Sequence, residues 1–272
     1  MAVNRLMQLA AAGVSTGNPW DISEAVFSQS FSVSPQNFAS VGLFFKPDGT
    51  RMYACGFSPD TAHQYNLSTA WDVSSATFAT TKDISSTNQS PNGLFFKPDG
   101  TRMYVADTSE DAIMEYNLSS AWDLSSASYS REENVSAQEL NPQGVFFKPD
   151  GTRMYVIGSG GDEVNEFSLS SAWNVTTSSF VQNLSLSAKD GNPRGIYFRN
   201  DGLKMYFVGD GSDQVHEYDL SSAWDISSAS FLQSFDVSSQ DSAPRDVHFK
   251  DDDGLKMYVI GAATRAVYEY DL

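Results

Sequence analysis

Two arginines, Arg194 and Arg245, stand 51 residues apart in a chain whose Asp and Glu outnumber Lys and Arg 34 to 17. Two guanidinium groups brought to one place hold a carboxylate through paired hydrogen bonds. The pair therefore points to an acidic ligand, such as an acidic sugar. The five Trp residues, Trp20, Trp71, Trp122, Trp173 and Trp224, keep the same 51-residue step. An indole face stacks on a sugar ring, and it equally locks one strand against the next. Packing is the simpler reading, because structural residues in a repeat must also repeat. Glycosidic cleavage needs two carboxylates about 5–10 Å apart in one cleft. Asp246 is the one acid at a position that Gly42, Gly93, Gly144 and Gly195 hold in the other repeats, and no second carboxylate stands out beside it. His63 and His216 share a repeat position, His248 does not, and Cys55 is alone, so no zinc ligand set is expected. Asp251, Asp252 and Asp253 precede Gly254 without the alternating ligands and distal Glu of a calcium loop, and read as turn chemistry. No nucleophile elbow or phosphate-binding glycine loop occurs. The residues predict no catalytic group, no metal and no cofactor.

The elements that must position these residues come from a repeat. "FKPDGTRMY" occurs at 45–53, 96–104 and 147–155, with looser copies "FRNDGLKMY" at 198–206 and "FKDDDGLKMY" at 249–258. A period near 50 built from short strands predicts a propeller. Each unit reads as four strands. The first is of the type "GLFFK" and ends at a Pro-Asp-Gly turn; the second is "RMYVAD" and the third "AIMEYNL". A Ser-rich connection around the Trp leads to a fourth, "SFLQSFDV". No helical period appears. Phe44 and Phe45 are adjacent in one strand, so they point to opposite faces and serve two blade–blade interfaces. Met52, Met103, Met154, Met205 and Met257 are expected to fill space between sheets.

The last unit stops at Leu272 after its third strand, and "NPWDISEAVFSQSFSV" at 18–33 has the form of the missing connection and fourth strand. The fold class expected is therefore all-β: a five-bladed β-propeller, four antiparallel strands per blade, with the last blade closed by the N-terminal strand. The blades are 41–84, 93–135, 144–186, 195–237, and 246–272 completed by 26–33. Residues 18–272 form one propeller, and 1–17 a separate docking segment, a short helix or extended, with Arg5, Leu6 and Leu9 as its contact residues.

Strands that run up and down put the "KPDG" and "SSAWD" turns on one face, nearly uniform between blades. The other face carries loops that differ from blade to blade and end at the channel mouth with Val41, Asn92, Gln143, Arg194 and Arg245. Recognition concentrates in varied loops on a rigid scaffold. These five residues, with Trp71, Trp122, Trp173 and Trp224, are the candidate ligand- or partner-binding residues. The net charge of −17 disfavours nucleic acid. No apolar run reaches the ~18 residues of a membrane helix, so membrane insertion is not expected. The start of the chain lacks the long apolar centre of a secretory signal. Six Asn-x-Ser/Thr sequons, at Asn66, Asn88, Asn117, Asn134, Asn174 and Asn183, include several in repeated turns and are read as turn residues.

The motif pair "LFFKPDGTRMYV" and "YNLSSAWDLSSAS" resembles propeller repeats of bacteriophage and environmental bacterial proteins, over residues 18–272. The resemblance implies a non-enzymatic virion structural protein displayed on capsid or tail, with adhesion to host-surface glycans as a further role. It implies other virion proteins as partners through residues 1–17, and a virion-surface or otherwise extracellular location. The alternative is a free lectin-like carbohydrate-binding protein, and the third class a glycosidase-type enzyme.

Overall fold

The chain's structure, a computed structural model, describes residues 17–34 and 39–272. The docking residues expected at Arg5, Leu6 and Leu9 lie outside the described residues. Strand β1 (Val26–Ser32) comes first in the chain and last in its sheet. Blade one is β2 (Ala39–Phe45), β3 (Arg51–Phe57), β4 (Thr61–Leu67) and β5 (Ala76–Asp83). Blade two is β6 (Pro91–Phe96), β7 (Arg102–Asp107), β8 (Ala112–Leu118) and β9 (Ala127–Asn134). Blade three is β10 (Pro142–Phe147), β11 (Arg153–Gly158), β12 (Glu163–Leu169) and β13 (Ser178–Ser185). Blade four is β14 (Pro193–Phe198), β15 (Lys204–Gly209), β16 (Gln214–Leu220) and β17 (Ala229–Asp236). Blade five is β18 (Pro244–Phe249), β19 (Lys256–Gly261) and β20 (Ala266–Asp271), with β1 as its outer strand. All pairings are antiparallel, and the fold is a five-bladed β-propeller as the repeat predicts.

The closure is specific. β1 pairs with β20 from Val26 opposite Asp271 to Ser32 opposite Ala266. Trp20 N donates to Gly254 O at 2.8 Å and Val33 N to Arg265 O at 2.9 Å. A ring of phenol-to-carbonyl bonds then links each blade to the next. Tyr53 donates to Trp122 O, Tyr104 to Trp173 O, Tyr155 to Trp224 O, Tyr206 to Trp20 O and Tyr258 to Trp71 O, all at 2.6–2.8 Å. The N-terminal segment thus supplies the same acceptor as any other blade.

The "SSAWD" connection has a local reason. Each Trp adopts φ of 65–67° and its N–H returns to the turn glycine of the same blade. The following Asp or Asn caps a single 3₁₀ turn: Asp21, Asp72, Asp123, Asn174 and Asp225 accept from the backbone N–H two residues on. A three-residue turn is too short to carry the helical period sought in the sequence. Phe44 packs toward Phe95 and Phe96 of the next blade at 5.4 Å, and Phe45 toward Tyr258 of the preceding one at 4.4 Å. Met52, Met103, Met154, Met205 and Met257 are fully buried. No helix among the described residues is long and apolar enough to cross a membrane.

Candidate active site

Five inner strands converge on the axis, and one residue near the start of each meets its neighbour almost backbone to backbone. A Cβ on Gly93 would lie 2.6 Å from the Cα of Gly144, and one on Gly42 would lie 2.4 Å from Asn92 O. Only glycine fits such an approach. The fifth position is Asp246, whose carboxyl lies over Gly195: a Cβ there would sit 2.2 Å from Asp246 Oδ1. Asp246 Oδ2 accepts from Leu43 N and Oδ1 from Val247 N, both at 2.9 Å. Burial pushes this carboxyl up to about 8, against the lowering effect of those two N–H groups.

Two residues further along each inner strand, five rings encircle the axis. Phe44, Phe95, Phe146, Tyr197 and His248 meet edge to face in a closed cycle with centroid separations of 5.1–5.5 Å. This ring floors a cavity of about 320 Å³ that opens on the "KPDG" face. Its rim comes from the residues three positions on: Pro47, Pro98, Pro149, Asn200 and Asp251. Three adjacent blades thus contribute Phe and Pro, while blades four and five contribute Tyr197 with Asn200 and His248 with Asp251.

The turn of blade five explains why the polar groups meet. It holds one residue more than the others, and Gly254 N donates to Lys250 O, four residues back, instead of three back as Gly49 N does to Lys46 O. Asp251 takes the place of the rim proline and accepts a hydrogen bond from the Tyr197 hydroxyl. Asn200 Nδ2 holds the backbone carbonyl of Asp251 at 3.2 Å. Burial pushes the Asp251 carboxyl up to about 6, with the Tyr197 bond lowering it and neighbouring Asp252 raising it. Burial lowers His248 to about 3, so its imidazole is neutral, and its Nε2 is buried without a hydrogen-bond partner. The cavity lining contains no Lys or Arg.

The residues singled out at the opposite mouth are engaged locally. Arg194 Nε and Nη2 each reach Asp210 at 3.1 Å, and Arg245 Nη1 reaches Asp210 Oδ2 at 2.8 Å. Asn92 Nδ2 donates to Ser90 O, Gln143 Nε2 to Asn141 Oδ1, and Val41 is buried. The structure does bring Arg194 and Arg245 together, around one carboxylate of this chain. The indoles of Trp71, Trp122, Trp173 and Trp224 lie against the turn glycines: a Cβ on Gly49, Gly100, Gly151 or Gly202 would come within 2.4 Å of the ring. Trp71 also stacks on Phe45 at 5.5 Å, and Trp224 on Phe198 at 5.6 Å. His63 bonds to Thr61 and Thr81, and His216 to Ser212. Among the described residues no cluster of three or more His, Cys, Asp or Glu is arranged for a metal ion.

Sequence reasoning looked for repeat-breaking carboxylates at the axial glycine position and found Asp246 alone. It passed over the columns Phe-Phe-Phe-Tyr-His and Pro-Pro-Pro-Asn-Asp, which hold the signal. The face it reads as nearly uniform carries the cavity, and the two departures from the Phe and Pro columns fall in adjacent blades, so their polar groups share one arc.

Comparison with known proteins adds the family. A family model described as lactonase, 7-bladed beta-propeller matches residues 43–259. No curated protein matches the chain. Similar solved structures include a luciferin-regenerating enzyme (14% identity, TM-score 0.54, covering 90% of this chain and 95% of that one). A chain of a nidogen–laminin complex is similar at 16% identity and TM-score 0.55, over 86% of this chain and 76% of that one. A candidate 6-phosphogluconolactonase of Bacteroides uniformis ATCC 8492 has 15% identity and TM-score 0.49, over 81% of this chain. This chain spans 63% of the length of that protein. At such identities the likenesses to the luciferin-regenerating enzyme and the nidogen–laminin chain show the propeller fold alone. The family match corrects the resemblance to bacteriophage and environmental bacterial repeat proteins. It also corrects the function expected, a non-enzymatic virion structural protein, and its alternative, a free lectin-like protein. The reason is physical, since "FKPDG" and "SSAWD" build the turn, the Trp seat and the cap of a blade, and so report scaffold and not activity. Matched over most of its length, the chain belongs to the lactonase family of β-propellers, here closed with five blades.

Proposed function

We propose that the protein is a hydrolase that opens a lactone in the axial cavity, with Asp251 as general base. One observation carries this reading. Blades four and five replace an apolar wall with a carboxylate hydrogen-bonded to Tyr197 and with a neutral His248, in a cavity of about 320 Å³ on the propeller axis. Family membership supports the reaction class.

The residues divide the work as follows. Asp251, raised to about 6, is ionised at neutral pH yet still basic enough to accept a proton from water. The water oxygen attacks the lactone carbonyl carbon while its proton passes to Asp251. His248, a neutral ring in the floor, lines the same cavity and brings no charge of its own to the tetrahedral intermediate. The ring C–O bond then breaks and the departing alkoxide takes the proton back from Asp251. One water is added, and the product is a hydroxy acid. Tyr197 aims the carboxylate, and Asn200 holds the turn that carries it. No step calls for a metal.

The test is acid release from lactones, followed in weakly buffered solution with a pH indicator. Asp251→Asn keeps an acceptor for Tyr197 and removes the base, so a loss of about 10²–10⁴-fold in kcat is expected. Equal turnover by wild type and Asp251→Asn would overturn the assignment.

A further inference from the structure

Resting on the hydrolytic reading above, the cavity's chemistry narrows the substrate. We infer that the ligand is an uncharged lactone carrying an alkyl or aryl group, and not a sugar lactone or its phosphate.

The polar atoms of the site occupy one arc. Facing them across the axis are Phe44, Phe95 and Phe146 in the floor and Pro47, Pro98 and Pro149 at the rim. A ligand whose carbonyl meets Asp251 must lay its remaining atoms on that apolar arc. A gluconolactone ring carries hydroxyls all round, and those turned toward Phe and Pro would lose water without gaining a partner. The polar arc has little to spare for them. The Tyr197 hydroxyl is committed to Asp251 Oδ1, and Asn200 Nδ2 to the Asp251 carbonyl. A phosphate fares worse, because it needs Lys, Arg or a cluster of backbone N–H groups. The lining offers no Lys or Arg, and Asp251 is itself anionic at neutral pH. The net charge of −17 adds a repulsive field. An alkyl or aryl group gains from the same wall, by burial against three rings.

The test separates the two readings. Binding of dihydrocoumarin, glucono-1,5-lactone and 6-phosphogluconolactone to Asp251→Asn protein is measured by calorimetry, alongside turnover of each by wild type. Dihydrocoumarin is expected to bind at least roughly tenfold more tightly than either sugar lactone and to be the one hydrolysed. Binding of dihydrocoumarin without turnover by wild type would sink hydrolysis and leave the ligand class standing. Preferential binding or turnover of a sugar lactone would overturn the inference while sparing hydrolysis. Absence of binding by all three would also overturn it. Placement in the cavity is checked with Pro98→Asp, an exposed rim position whose counterpart in blade five is Asp251. That variant should melt as wild type does and bind dihydrocoumarin roughly tenfold more weakly; unchanged affinity would refute the apolar arc as the seat of the ligand.

Discussion

The hydroxyl of Tyr197 in blade four donates to Asp251 Oδ1 in blade five, 54 residues further along the chain. The bond joins a floor residue to a rim residue and sets where the carboxylate points. It also lowers the Asp251 carboxyl, opposing burial. Activity should therefore rise with pH through an acid limb near 6, as Asp251 loses its proton. Tyr197→Phe removes the lowering bond, so the limb should move to higher pH while much of the alkaline plateau survives. A pH profile of kcat/KM for the two proteins checks this, and an unmoved limb would remove Asp251 as the titrating base.

Stability should carry the mark of Asp246. Its carboxyl holds a proton up to about 8 in the folded protein, against about 3.9 for an ordinary aspartate. A raised folded value means that the folded state binds the proton more tightly than the unfolded chain. The contribution is then fully present below about pH 4 and is lost as pH rises through about 8. Asp246→Asn cannot titrate, so its melting temperature should fall less than that of wild type between about pH 5 and about pH 9. A constant offset between the proteins reflects the changed hydrogen bonding to Leu43 N and Val247 N; the slope is the readout.

The axial approach of the inner strands predicts a contrast between two glycines. A Cβ on Gly195 would lie 2.2 Å from Asp246 Oδ1 and 2.5 Å from its Cα. Gly195→Ala should cost about 1–3 kcal/mol in urea denaturation, through displacement of the neighbouring strand. Gly191 has nothing within 4 Å of its would-be Cβ, so Gly191→Ala should stay within about 0.5 kcal/mol of wild type.

Ring closure predicts what truncation does. Without residues 18–34, β20 loses its partner β1 and the Tyr206 hydroxyl loses the Trp20 carbonyl. An unpaired edge invites intermolecular strand pairing, so the shortened chain should aggregate in size-exclusion chromatography. A soluble monomer of native melting temperature would contradict the closure.

Much of this architecture was legible before any coordinates. The Trp and Phe steps of 51 residues, and the match between 18–33 and 222–237, are enough to count five blades and to close the last one with the N-terminus. The site was partly legible. Tyr197, His248, Asn200 and Asp251 each break a repeat column, but a broken column does not say whether it faces the axis or the surface. Asp246 stands out by its column and Asp251 reads as turn chemistry, though the extra residue beside it is what seats it at the rim. Arg194 and Arg245 looked free because Asp210, which holds both, stands in a loop whose path the letters do not reveal.

By itself the sequence determined strand alternation, turn positions, blade number and closure, because each depends on local chemistry repeated at a constant spacing. Only the tertiary structure decided which polar groups share the cavity, which charges neutralise one another, and which carboxyls burial holds protonated. Those outcomes depend on five strands converging at one axis, where residues distant in the chain come within hydrogen-bonding reach and lose their water together.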